Sequence, residues 1–153
     1  MSALRELYQE LIIDHSRHPR NFGELKDPTH SQEGYNPLCG DRLTVYLRID
    51  KNKIIALRFR GEGCAISIAS ASLMTEALLG KTIDEACILF KHFHLLATNT
   101  NNKIHQDTSD EILGKLKALG GVSQFPARVK CATLGWHTLQ AALEIQNKIV
   151  TTE

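Results

Sequence analysis

Two segments with a hydrophobic period of two, separated by a two-residue turn, constrain this chain more than any other feature. Leu43, Val45, Leu47 and Ile49 alternate with Thr44, Tyr46 and Arg48. After Lys51-Asn52, Ile55, Leu57 and Phe59 alternate with Ala56, Arg58 and Arg60. Side chains of a strand point to opposite faces in turn, so each segment reads as a strand with one buried face. A two-residue connection joins them antiparallel. A lone hairpin is not stable in water, so a third strand is required, and the upstream stretch around Gly34 to Asn36 is the candidate. The rest of Arg20 to Leu38, rich in Pro, Gly, Asn and Asp, reads as loop.

Helical patterns flank this unit. Leu4, Leu7, Tyr8, Leu11 and Ile12 share one face of a helix over residues 3–17, with Ser2 as N-cap and Pro19 marking its end. Gly61-Glu62-Gly63-Cys64 breaks the second strand, and an Ala- and Ser-rich helix follows from Ala65 to Leu79. Thr82 and Glu85 have capping-box spacing and open a helix to about Phe93. Thr98 to Ser109 is polar and expected to be exposed. Ile112, Leu113, Leu116 and Leu119 suggest a helix closed by Gly120-Gly121, and Pro126 precedes a last helix from about Leu134 to Val150. Strands first and helices after predict an α+β fold, a small antiparallel three-stranded sheet packed against several helices. The 153 residues are expected to form a single domain, 1–153, with no internal repeat.

The bulk properties exclude whole classes of function. A net charge of +1 argues against a nucleic-acid binder, which carries a strong basic excess. The apolar runs are shorter than the roughly 18 residues a membrane span requires. The charged, helix-patterned N-terminus is unlike a signal peptide, so a cytoplasmic location is expected. There is no Walker-type loop, no G-x-G-x-x-G after a strand and no G-x-S-x-G elbow. The seven histidines lack metal-ligand spacing and read as surface or core residues.

The chemistry lies with the cysteines. In a reducing compartment, metal or sulfur chemistry suits Cys39, Cys64, Cys87 and Cys131 better than disulfides. Cys39 lies in the turn-forming Asn36-Pro37-Leu38-Cys39-Gly40-Asp41. Cys64 stands at a helix start, where unpaired N–H groups and the helix dipole favour thiolate. Cys131 follows Arg128 and Lys130, whose positive charges act in the same sense. Asp41 can supply a further ligand from the Cys39 loop, or merely cap a turn. Cys87, among Ile83, Ala86, Ile88, Leu89 and Phe90, reads as a small buried hydrophobe.

Three ordered motifs now stand together: Asn36-Pro37-Leu38-Cys39-Gly40-Asp41, the run Gly61-Glu62-Gly63-Cys64-Ala65-Ile66-Ser67-Ile68-Ala69-Ser70-Ala71-Ser72, and Arg128-Val129-Lys130-Cys131-Ala132-Thr133-Leu134-Gly135-Trp136. With Leu7-Tyr8, Asp14-His15 and Pro19-Arg20-Asn21 they resemble the IscU/SufU (NifU N-terminal-like) iron–sulfur cluster assembly family, from about Leu4 to Lys148. The long segment between Cys64 and Cys131, and Lys130 where the IscU branch has a histidine, resemble the SufU side. The Leu-Pro-Pro-Val-Lys chaperone stretch of IscU proteins is replaced by Phe125-Pro126-Ala127-Arg128-Val129-Lys130, which puts chaperone-driven cluster release in doubt. Ser16 stands where SufU-like sequences tend to have an aromatic residue.

The resemblance implies a zinc-dependent sulfur (persulfide) acceptor for a SufS-like cysteine desulfurase, passing sulfur to downstream Fe–S assembly or apo-proteins. It implies zinc held by Cys39, Asp41, Cys64 and Cys131; Cys39 is expected to be the catalytic thiol because its Pro/Gly loop should move more easily than helix-linked Cys64 or Cys131. Four anionic ligands on a dication leave negative charge, which Arg42, Arg128 and Lys130 are expected to offset in part. The alternative is a scaffold on which a [2Fe-2S] cluster is built on the same residues and transferred, since thiolates suit both metals. A closed structural zinc module favours tighter local spacing than these dispersed cysteines. A hydrolytic zinc enzyme needs an open position and a general base that the sequence does not offer.

Overall fold

The computed structural model describes residues 3–98, 113–144 and 150–151. Helix α1 spans Ala3–Arg17 and is followed by strands β1 (His30–Asn36), β2 (Asp41–Asp50) and β3 (Lys53–Glu62). Then come α2 (Ala65–Leu78), α3 (Ile83–Thr98), a 3₁₀ helix over Gly114–Gln124, α4 (Pro126–Leu143) and a two-residue β4 (Val150–Thr151). The sheet order is β3-β2-β1-β4; β1, β2 and β3 are antiparallel neighbours and β4 adds parallel to β1. The expected antiparallel three-stranded sheet against helices is therefore present, extended by one short strand. Ser2, the expected N-cap of α1, and most of the polar stretch Thr98 to Ser109 lie outside the described residues.

The hairpin turns at Lys51 and Asn52, both with positive φ (51° and 65°), the backbone that a two-residue turn needs to match strand twist. Leu43, Val45 and Leu47 of β2, with Leu57 and Phe59 of β3, are at most 1% exposed and form the inner face. Ile55 is a correction. The register shifts near Arg48/Ile49, where Arg48 pairs with Ala56 and Ile49 with Ile54, so Ile55 is the extra residue of a bulge. The bulge reverses the alternation, and Ile54 is fully buried while Ile55 is 50% exposed.

Four more boundaries differ from the pattern reading. The third strand expected around Gly34 to Asn36 is present and begins earlier, at His30 within the stretch that reads as loop, because its backbone pairs along β2. α3 runs past Phe93 to Thr98. The Leu113–Leu119 region is 3₁₀ and passes through Gly120 and Gly121 instead of stopping there. A Cβ on Gly120 would lie 3.1 Å from Leu96 Cδ1, so that glycine admits close packing. α4 starts at Pro126, well before the expected Leu134, since proline is tolerated in a helix's first turn, and ends at Leu143; residues 145–149 of the expected range lie outside the described residues. The capping box is as expected: Thr82 N–H donates to Glu85 Oε1 (3.0 Å) and Glu85 N–H to Thr82 Oγ1 (3.1 Å).

α2 is the central helix, buried over most of its length from Ser67 to Leu78. Its small residues let its neighbours approach: Gly135 of α4 faces Ala71, and a Cβ there would meet Ala71 Cβ at 3.3 Å. The hydroxyls of Ser70, Ser72 and Thr75 are paired, Ser70 Oγ accepting from the fully buried Trp136 indole (3.2 Å), while the buried Ser67 Oγ has no hydrogen-bond partner. Trp136 stacks on Phe93 of α3 at 4.6 Å between ring centres. Gly34 serves β1 likewise, since any side chain there would run into Thr138 of α4. These approaches bring the end of β1, the start of β2, the start of α2 and the first turns of α4 to one place.

Candidate metal centre

The β1–β2 connection is a tight turn with Gly40 at φ +72°, which glycine adopts at little steric cost. It leaves Cys39 exposed and returns the chain so that Asp41, the first residue of β2, points inward and is fully buried. Cys131, in the second turn of α4, reaches the same place and is 2% exposed. One ligand atom each from Cys39, Asp41 and Cys131 lies within 4.8 Å of the others, and the two thiols are 3.2 Å apart. Cys64, half-buried and immediately before α2, joins through Asp41: its backbone N–H donates to Oδ1 at 2.9 Å, and its Sγ lies 3.9 Å from Oδ2. Cys39, Asp41 and Cys131 thus meet at one end of the sheet, Cys64 lies against Asp41 outside that mutually close group, and Cys87 stays away from them, half-buried on α3.

Two neighbours complete the site. Asn36, fully buried at the end of β1, directs its amide at Asp41 Oδ2 (3.5 Å) and Cys131 Sγ (3.6 Å). Its own carbonyl accepts the Leu38 N–H at 3.3 Å, which shapes the Cys39 turn. Gly63 leaves room for the carboxylate, because a Cβ there would be 2.8 Å from Asp41 Oδ1. The sequence motifs contain both residues, but only the folded arrangement assigns them work.

The electrostatics correct two expectations. Burial pushes the Cys131 thiol up, and the adjoining Cys39, Cys64 and Asp41 side chains add to the same direction, outweighing any help from Arg128 and Lys130. Arg42 cannot offset the cluster's charge as expected: strand alternation sends it to the face opposite Asp41, where it meets Glu33 (3.7 Å) and lies over Tyr35 (5.2 Å). Arg128 lies over the Phe125 ring at 4.8 Å, and Lys130 is half-buried. Among the described residues Asp41 has no ion pair. A buried carboxylate beside three thiols without a cation is a donor set that a metal ion would complete. Ligand atoms of a tetrahedral zinc site stand about 3.5–3.8 Å apart, given bonds of about 2.0–2.3 Å; the Cys64–Asp41 separation of 3.9 Å is near that, and the Cys39 and Cys131 thiols at 3.2 Å would part slightly to take the ion. An open apolar groove of about 630 Å³, lined by Ile12, Ile13, Ile66, Val122 and Phe125, lies beside the start of α4 but holds none of the thiols.

The NifU-like N-terminal domain family matches residues 7–152. The chain belongs to that family. It is 44% identical over 90% of its length, and 89% of the relative's, to the zinc-dependent sulfurtransferase SufU of Bacillus subtilis (strain 168). It is 37% identical to the iron–sulfur cluster assembly scaffold protein IscU of Streptococcus pyogenes serotype M1, over 94% of this chain and 87% of that one. Among solved structures it resembles FiSufU from Fervidobacterium islandicum AW-1, a candidate cluster assembly scaffold for the SUF system, with a TM-score of 0.80 and 34% identity over 91% of this chain and 98% of that one. Among the described residues no helix is long and apolar enough to cross a membrane.

Proposed function

We propose that this chain is an iron–sulfur cluster assembly protein that accepts sulfur, as a persulfide, from a cysteine desulfurase. The observation that carries the reading is the contrast in exposure within one cluster: Cys39 is open to solvent, while Cys131 and Asp41 behind it are buried. A partner can bring a persulfide to Cys39 alone without opening the core. Cys39, Asp41, Cys64 and Cys131 would hold zinc, which supplies a positive charge that keeps their thiols ionised at neutral pH.

The transfer is thiol–disulfide chemistry. The Cys39 thiolate attacks the outer sulfur of the donor's persulfide. The donor's S–S bond breaks, its cysteine leaves as thiolate, and Cys39 carries the added sulfur. Cys39 suits this exchange because its turn hangs between β1 and β2, whereas Cys131 is embedded in α4. The test compares desulfurase turnover with the zinc-loaded protein, the zinc-stripped protein and Cys39→Ser. Strong stimulation by the zinc-loaded parent alone supports the reading; equal sulfur acceptance by Cys39→Ser overturns the assignment to Cys39.

The alternative, a scaffold for a [2Fe-2S] cluster, is favoured by two thiols lying 3.2 Å apart with a third beside Asp41, and by the name of the Streptococcus pyogenes relative. Anaerobic reconstitution followed by transfer to an apo-ferredoxin distinguishes it. A cluster that forms and moves on, without stimulation of the desulfurase, establishes the scaffold.

A further inference from the structure

We infer that Asn36 is the positioning residue that divides the ligands that stay from the ligand that leaves: its amide holds Asp41 and Cys131 in place while Cys39 departs to take up sulfur. The inference rests on Cys39 being the sulfur acceptor proposed above, and adds how the site keeps its metal during the exchange.

The chain itself fixes which way the amide points. Asn36 Oδ1 accepts the Leu38 N–H at 3.3 Å, so the Nδ2 end is the one turned to the cluster. There it stands 3.6 Å from Cys131 Sγ, an ordinary distance for an atom as large as sulfur, and 3.5 Å from Asp41 Oδ2, the outer limit of a hydrogen bond. An amide NH2 only donates, so it suits neighbours that only accept. A metal-bound thiolate and a carboxylate are such neighbours, and bonds to charged acceptors are the stronger kind. Asn36 is fully buried, so water cannot take its place. The other oxygen of Asp41 is tied as well, by the Cys64 N–H at 2.9 Å.

Cys39 has no such tie. Among the described residues its Sγ meets only the Cys131 thiol, and it is exposed. The chain is anchored on both sides of it, at Leu38 through Asn36 and at the buried Asp41. Cys39 and Gly40, the latter at φ +72°, are the part left to swing. Hydrogen bonds to a ligand sulfur orient it and draw off its charge, which steadies it on the metal and damps its attack on other sulfurs. Asn36 does this for Cys131 and leaves Cys39 undamped.

The experiment uses the full chain loaded with zinc and reads metal affinity by competition with a colorimetric chelator. Cys39→Ala stands for the state in which Cys39 has left. The inference expects Cys39→Ala to keep its zinc, and Asn36→Ser added to it to weaken binding by about 10–100-fold. Serine keeps an oxygen for the Leu38 N–H but is too short to reach the cluster, so a role confined to shaping the turn predicts no such loss. Loss of zinc from Cys39→Ala alone, or unchanged affinity in the double variant, overturns the inference. A second measurement needs no variant. In the parent loaded with an NMR-active cadmium isotope, the Asn36 side-chain amide protons should show scalar coupling to the metal through the N–H···S bond. Uncoupled protons overturn the inference however the variants fold. The acceptor reading is tested apart, by mapping added sulfur on the zinc-loaded parent after reaction with a cysteine desulfurase and cysteine. No sulfur on Cys39 overturns that reading, whereas sulfur on Cys39 with an uncoupled amide overturns only the role of Asn36.

Discussion

The carboxylate of Asp41 accepts the backbone N–H of Cys64 at 2.9 Å, which ties the first residue of β2 to the residue that precedes α2. The bond has a structural role before any metal arrives. Asp41→Ala leaves that N–H unpaired in a half-buried setting and is expected to cost about 1–3 kcal/mol in the metal-free protein. Asp41→Asn keeps an oxygen for the same bond and should stay within about 1 kcal/mol of the parent. Urea unfolding of the three metal-free proteins checks this, and equal stability of the two variants would remove the bond from the account.

Gly63 is the space that the Asp41 carboxylate occupies. A Cβ there would approach Oδ1 to 2.8 Å and Cγ to 3.1 Å, closer than side chains tolerate, and the buried Asp41 has nowhere to retreat. Gly63→Ala is therefore expected to lose about 1–3 kcal/mol and to weaken zinc binding by displacing Asp41 and Cys64 together. Unfolding curves and competition with a colorimetric chelator measure the two effects separately.

Zinc should behave as a staple across the fold, because its proposed ligands come from the β1–β2 turn, the start of β2, the start of α2 and α4. With free zinc a thousandfold above its dissociation constant, linkage adds about 4 kcal/mol of stability. Calorimetry before and after chelation should show a clear fall in melting temperature. An unchanged transition would place the metal outside this cluster.

A buried histidine and a half-buried one give the metal-free protein an acid-side weakness. Burial holds His15 and His137 below their ordinary value of 6.5. His15 is 1% exposed, with Nδ1 on Ser72 Oγ at 2.7 Å, and His137 faces His94 at 5.8 Å between ring centres. Both take up protons less readily in the folded protein than in the unfolded chain, which protonates as pH falls through 6.5. The unfolded state then binds more protons, so stability is full above that pH and declines below it. The urea midpoint should be lower at about pH 5.5 than at about pH 7.5, and His15→Gln should flatten the difference. Asp14 and Glu85, held below 3.8 and 4.5 by hydrogen bonds from Arg20 and from Thr82, contribute in a more acidic range and leave this window to the histidines.

Local signals were legible where one short segment settles the outcome. The hairpin, its turn at Lys51-Asn52 and the Thr82/Glu85 capping box follow from alternation and from residues three apart. Ile55 was misread because a bulge is decided by the partner strand, and alternation within β3 carries no trace of it. β1 was legible only around Gly34 to Asn36, for a similar reason. Its polar run His30–Asn36 forms a strand through its pairing with β2 and through Gly34 lying under α4.

The sequence by itself determined the cysteine motifs, the alternating strands and the family, because these depend on residue identity and short spacing. Tertiary structure alone decided that Cys39 is the open thiol and Cys131 the closed one, that Asn36 and Gly63 shape the site, and that Arg42 faces away from it. Exposure and charge environment are set by what packs around a group from distant parts of the chain. Cys39 and Cys131 are 92 positions apart, and only the folding of α4 onto β1 and β2 brings their sulfurs to 3.2 Å.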